Sequence, residues 1–245
     1  MKKLNNKTTR IFLFIIISLS TSVLFRYDIF NVYKDWNPNP IMNVYKTLIE
    51  ALGPFMGGLL ITSIFRLNRS ITFKGNMNQK SLLMLAVPII GFGIFGIQNS
   101  MMNKHIYGII IGFWIVTYGI LEETGWRGYL QDELSHLKPL MKYTVVGLIW
   151  YFWHLTFLRK TTLLNEVLIA FILILSSIGI GYVTDKTKSI FVAACFHIIG
   201  NILAFSSLFS NVLPLNTRII LVSIFIMIWM VLLRKKTLPS ASISS

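Results

Sequence analysis

What this chain lacks narrows its chemistry first. Its 245 residues include a single cysteine, Cys195, which excludes an internal disulfide and any cysteine-based zinc site. Cys195 lies in an apolar run and reads as an inert buried thiol. Acidic residues are scarce as well: nine against 23 lysines and arginines, for a formal net charge of +14. Charged residues make up 13% of the chain and hydrophobic ones 54%, a balance that excludes an ordinary soluble domain. There is no internal repeat, heptad array or low-complexity tract, and no H-E-x-x-H zinc helix. The positive charge is no nucleic-acid footprint either, because the basic residues fall in short clusters between apolar blocks rather than along one stripe.

Those apolar blocks predict the architecture. They imply an all-α fold, a polytopic membrane helical bundle of about eight transmembrane helices, forming one domain over residues 1–245. The first block, 11–25, reads as a retained anchor, since no A-x-A-like cleavage site follows it. The second, 41–65, carries Gly53 and Gly57, a G-x-x-x-G spacing that lets helices approach closely. The third, 81–98, holds Pro88 with Gly91, Gly93 and Gly96, which predicts a kink or break. The fourth starts near His105 and ends at a water-facing Gln131-Asp132-Glu133, after which Pro139 interrupts the chain. Blocks at 143–158, 163–183, 190–209 and 217–233 complete the set.

Charge placement orients the bundle. With the N-terminus inside, sixteen basic residues fall on inner segments, among them Lys2, Lys3, Lys7, Arg10, Arg127, Arg234, Lys235 and Lys236. Only six, including Lys34, Arg159, Lys160 and Arg218, fall on outer ones. This positive-inside bias predicts a multi-pass cell-membrane protein, surrounded by lipid, with both termini cytoplasmic.

Two of the nine acids stand side by side, in Glu122-Glu123-Thr124-Gly125-Trp126-Arg127, directly after an apolar run. An ionisable group in a membrane segment costs roughly 2.5–3.5 kcal/mol on insertion scales. Glu123 and Arg127 are one helical turn apart and can pair, while Glu122 points about 100° away and is left to face a cavity. The residues fit either a chemical site or an ion-pair cluster locking helices together. Two histidines, His154 and His197, fall well inside other spans, and Asn201 shares a helical face with His197. Taking Asp132, Lys142 and Lys188 as boundary markers, Glu122, His154 and His197 lie 10, 12 and 9 residues deep. At the helical rise these are depths of roughly 14–18 Å. Proton-active groups from three helices at one level favour the site.

Two chemistries stay open. A partly dry glutamate can take a proton from water and return it to a leaving amine, with histidine and asparagine as donors to an oxyanion. Alternatively, Glu122, His154 and His197 form a His₂Glu set able to bind a divalent metal such as Zn²⁺.

These residues resemble the CPBP intramembrane proteases, the CAAX protease and bacteriocin-processing (Abi) family. Its pattern is E-E-x-x-x-R, then F-x-x-x-H, then H-x-x-x-N on separate helices; here these are Glu122 to Arg127, Trp150 to His154, and His197 to Asn201. The second motif departs by having Trp150 where phenylalanine is usual, an exchange expected to alter pocket shape rather than proton chemistry. The resemblance implies a catalytic core over about 105–209 and an intramembrane endopeptidase acting on a membrane-associated peptide or protein. It implies Glu122 as water-activating base with His154 as partner. His197 and Asn201 would form the oxyanion site, and Glu123 with Arg127 would position the motif helix. The type II CAAX prenyl protease cuts after a prenylated cysteine. Bacterial members, which a Lys/Asn/Ile-rich composition fits, are linked instead to bacteriocin maturation, immunity and peptide signalling. The competing readings are a catalytically inactive member serving as scaffold or immunity protein, and a proton-relay transporter.

Overall fold

The computed structural model describes residues 6–31, 40–100, 102–158, 162–205 and 207–234. The charges at Lys2, Lys3, Lys34, Arg159, Lys160, Lys235 and Lys236 lie outside these residues. Among the described residues the fold is all-helical, nine α-helices and no strand. In chain order they are α1 (Lys7–Arg26), α2 (Pro40–Ile64), α3 (Gln79–Phe95), α4 (Lys104–Glu123) and α5 (Pro139–His154). There follow α6 (Leu163–Thr187), α7 (Ile190–Gly200), α8 (Ser207–Val212) and α9 (Leu215–Leu233). Two π-helical segments, Thr124–Gln131 and Asn201–Phe205, continue α4 and α7 without a break.

Local chemistry sets most of the helix ends. Asn6, Asn103, Thr162 and Ser189 cap α1, α4, α6 and α7 with side-chain oxygens that accept backbone N–H bonds. Pro139 opens α5 at its first turn, where no N–H partner is lost. Leu155 and Lys188 end α5 and α6 in left-handed conformations at φ 55° and 54°. The loop after α2 is pinned to the start of α7 by an isolated parallel bridge between Thr72 and Ser189.

Five helices are long and apolar enough to cross a bilayer: α1, α2, α4 with its π continuation, α6 and α9. The apolar helices Gln79–Phe95 and Ile190–Ala204 are shorter. Bulky apolar side chains face outward around the bundle, including Leu163, Ile94, Phe113 and Met227. An outer surface of that kind is a liability in water and suits hydrocarbon as its solvent. The protein is therefore a multi-pass membrane helical bundle.

Gly53 and Gly57 do bring α1 and α2 together: a Cβ at Gly53 would stand 2.8 Å from the Ser18 carbonyl oxygen. Three expectations are corrected. Helix α3 continues from Gln79 through Pro88 to Phe95, so Pro88 does not break it. Gln131 and Glu133 are buried instead of facing water, because both find polar partners inside: Gln131 donates to the Gly181 carbonyl and Asp185, and Glu133 accepts from Arg10 and Arg69. Some basic residues counted as loop charges are buried too. Arg10 pairs with Glu133, Arg127 with Glu123, and Arg218 donates to the carbonyls of Ile202 and Leu203.

Two apolar cores hold the bundle. One gathers α3, α4, α7 and α9 around Phe92, Ile115, Ile198 and Phe225; the other gathers α1, α2, α5 and the first π segment around Phe14, Trp126, Trp150 and Trp153. The polar residues described next lie where the two meet.

Candidate active site

Helix α4 delivers Glu122 and Glu123 at its last two positions, and the π segment that follows carries Arg127. All eight residues of that segment are buried. Its path is set by close packing, since Gly125 lies against the backbone of Pro54 on α2, where a Cβ would sit 2.3 Å from the carbonyl oxygen. The Thr124 hydroxyl donates to the Ile120 carbonyl at 2.7 Å and so satisfies an acceptor at the junction.

Both carboxylates are fully buried, and they have different partners. Glu123 Oε1 lies 2.6 Å from His197 Nδ1, and its Oε2 lies 3.3 Å from Arg127 Nε. Arg127 is itself fully buried; its three nitrogens have no hydrogen bond of good geometry, and its guanidinium lies 5.6 Å from the centre of the Trp150 ring. Glu122 Oε2 accepts from two indoles, Trp126 Nε1 at 3.2 Å and Trp150 Nε1 at 3.0 Å. Its other oxygen, Oε1, is buried and has no hydrogen-bond partner of good geometry. The Tyr118 hydroxyl, one turn earlier on α4, also interacts with this carboxylate.

Trp150 is the hub that the sequence did not reveal. Its ring centre lies 5.1 Å from the His197 ring and 5.4 Å from the His154 ring. Together with the bond to Glu122 and the contact with Arg127, this ties four of the polar residues to one indole. The exchange for phenylalanine therefore does more than reshape a pocket: it adds a hydrogen-bond donor to Glu122 that phenylalanine lacks.

The second motif also sits differently along its helix. His154 is the last residue of α5 rather than a mid-span residue, because Leu155 turns left-handed directly after it. Its Nδ1 is 2.8 Å from the Trp150 carbonyl oxygen. Arg26, at the end of α1, satisfies the neighbouring Trp153 carbonyl at 2.7 Å, stacks over the Trp153 ring at 4.2 Å and pairs with Glu50 at 3.2 Å.

His154, His197, Asn201 and Trp150 line one cleft of about 380 Å³ between α5, α6 and α7. Asn201 is the first residue of the second π segment, and its Nδ2 has no hydrogen-bond partner of good geometry. The remaining wall is mostly apolar, with Leu173, Ile180, Phe196 and Leu203, and Gly179 opens onto empty space. Glu122 does not line the cleft; it reaches it through Trp150, and both imidazoles are near enough to couple to it electrostatically. Among the described residues no three His, Cys, Asp or Glu side chains are grouped to hold a metal ion. As they stand, Glu122, His154 and His197 do not fit one, and Oε2 of Glu122 is already committed to two donors.

Fold and site together define a polytopic helical membrane protein with a carboxylate, histidine and asparagine cluster buried between its helices. The family model for type II CAAX prenyl endopeptidase Rce1-like proteins matches residues 104–203, so this part of the chain is similar to that family. All six motif residues, from Glu122 to Asn201, fall inside the match. The activity named by that family's description is that of an endopeptidase. No curated protein matches the chain.

Proposed function

We propose that this chain is a glutamate-dependent intramembrane endopeptidase that hydrolyses a peptide bond of a membrane-associated substrate with an activated water. The observation that carries the reading is the asymmetry of Glu122: one oxygen held by two indoles, the other buried with no hydrogen bond of good geometry. A buried acceptor left unmade is costly, on the order of 1–3 kcal/mol, and such a cost is kept where the acceptor has a use. Oε1 accepts a proton from a water molecule as that water attacks the scissile carbonyl carbon. The tetrahedral oxyanion is met by Asn201 Nδ2 and by Nε2 of His197. Glu123 holds the opposite ring nitrogen of His197 and so favours the doubly protonated ring that can donate there. With His197 charged, the cluster balances: Glu122 and Glu123 against Arg127 and His197. Collapse of the intermediate breaks the C–N bond, and Glu122 returns its proton to the leaving amine. His154, at the cleft wall, orients the water beside Glu122.

The mostly apolar cleft suits a substrate that arrives with a hydrophobic segment. Bacteriocin maturation, immunity or peptide signalling are settings in which such a substrate occurs. The test is reconstitution in liposomes with a panel of membrane-anchored peptides and a farnesylated CAAX peptide, with products read by mass spectrometry. Wild type is expected to cleave at least one peptide, and Glu122→Gln to cleave none. Equal cleavage by both would remove Glu122 as the base. No cleavage of any peptide by folded wild type would favour the scaffold or immunity reading.

A further inference from the structure

Away from the candidate active site, a cavity of about 1260 Å³ opens where the start of α3 meets the ends of α6 and α9. Four cations line it: Lys74, Lys80, Lys186 and Arg234. Among the described residues no carboxylate does. Asp185, beside Lys186 in the chain, is turned elsewhere and is held by Lys142, Tyr143, Gln131 and Lys188. Two of the cations are positioned by their surroundings: Lys80 Nζ donates to the Arg234 carbonyl at 3.1 Å, and Lys186 Nζ lies 5.5 Å from the Tyr182 ring centre. The rest of the wall includes apolar side chains, among them Val183, Phe196, Met230 and Leu233.

Four converging positive charges with no carboxylate beside them among the described residues call for an anion, and an apolar floor beneath them calls for hydrocarbon. We propose that this cavity is a binding site for one anionic glycerophospholipid of the inner leaflet. Its phosphate is met by Lys74, Lys80, Lys186 and Arg234, and an acyl chain lies over Phe196, Met230 and Leu233. The cavity lies at the end of the bundle that the charge bias assigns to the cytoplasm, where anionic headgroups attract basic side chains. The volume suits a headgroup with the upper part of a chain better than a bare ion. The site is separate from the catalytic proposal, and it shares one wall residue with the cleft, Phe196.

The test uses the full chain in detergent, with bound lipid counted by native mass spectrometry and affinity read by titration. The probes are phosphatidylglycerol, phosphatidylcholine and inorganic phosphate. Phosphatidylglycerol is expected to be retained at one per chain, and phosphatidylcholine at least tenfold more weakly. The triple variant Lys74→Gln/Lys80→Gln/Lys186→Gln is expected to bind phosphatidylglycerol about 10- to 100-fold more weakly, following the attraction a basic side chain has for an anionic surface. Lys186→Gln alone is expected to give a smaller loss in the same direction. Lys138→Gln, on the same end but outside the cavity, should leave binding unchanged. Equal binding of phosphatidylcholine, displacement by phosphate at matched concentration, or an equal loss with Lys138→Gln would each overturn the proposal.

Discussion

The two oxygens of Glu122 have different surroundings: Oε2 accepts from Trp126 and Trp150, and Oε1 has no hydrogen bond of good geometry. A hydrogen bond to a charged acceptor contributes about 1.5–3 kcal/mol. Removing the Trp150 indole donor leaves Trp126 as the remaining indole donor on Oε2 and lets the carboxylate rotate away from its working position. Trp150→Phe keeps an aromatic ring against both histidines, so substrate contacts change little. The expected outcome is a fall in kcat of roughly 10- to 100-fold with KM within about threefold, measured on any cleaved peptide. A change confined to KM would return the residue to the pocket-shape role first read from the sequence. Arg127 shows the same economy: a fully buried guanidinium held by an ion pair and an indole face. Breaking a buried pair from one side leaves an uncompensated charge, so loss of either Glu123 or Arg127 is expected to destabilise the fold around the site.

At the scale of the helices, the site is built at two junctions where α turns become π turns, one directly after Glu123 and one starting at Asn201. Wider turns free carbonyls and re-aim side chains, and they recur at functional sites. The motif residues were legible in the sequence because acids and histidines are rare in apolar spans and stand out there. The π turns were not legible. The first of them lies against another helix, Gly125 on the backbone of Pro54, and no local periodicity records that contact. The burial of Gln131 and Glu133 escaped for the same reason, since their partners Asp185, Arg10 and Arg69 lie far along the chain. Trp150 was visible as a departure from the family pattern, but what its N–H touches depends on the depth of Glu122. Close packing gives a direct check. Gly125→Ala drives a methyl into the backbone of α2, and overpacking of this kind costs about 1–3 kcal/mol. Gly179→Ala meets nothing within 4 Å and gains helix propensity of about 1 kcal/mol. Thermal unfolding in detergent should therefore move down for Gly125→Ala and stay level or rise for Gly179→Ala. The reverse order would mean that the π segment is not held by α2.

Across the whole molecule, orientation in the membrane decides where a substrate meets the cleft. Some basic residues used in the charge count turn out to be buried, Arg10, Arg127 and Arg218 among them, so their positions reflect pairing as well as topology. The bias survives without them, because Lys74, Lys80, Lys138, Lys186 and Arg234 gather at one end and Lys104 stands at the other. The single cysteine makes this directly measurable. Cys195 is fully buried, so it contributes no labelling background to an impermeant maleimide. Ser135 and Asn216 are exposed and belong to opposite ends of the bundle, the first just after the π continuation of α4, the second in the first turn of α9. In intact cells Asn216→Cys is expected to label and Ser135→Cys to stay unlabelled until the membrane is opened. The opposite result would put the basic end outside. It would turn the lipid cavity toward the outer leaflet and leave the charge bias of the chain without its usual cause.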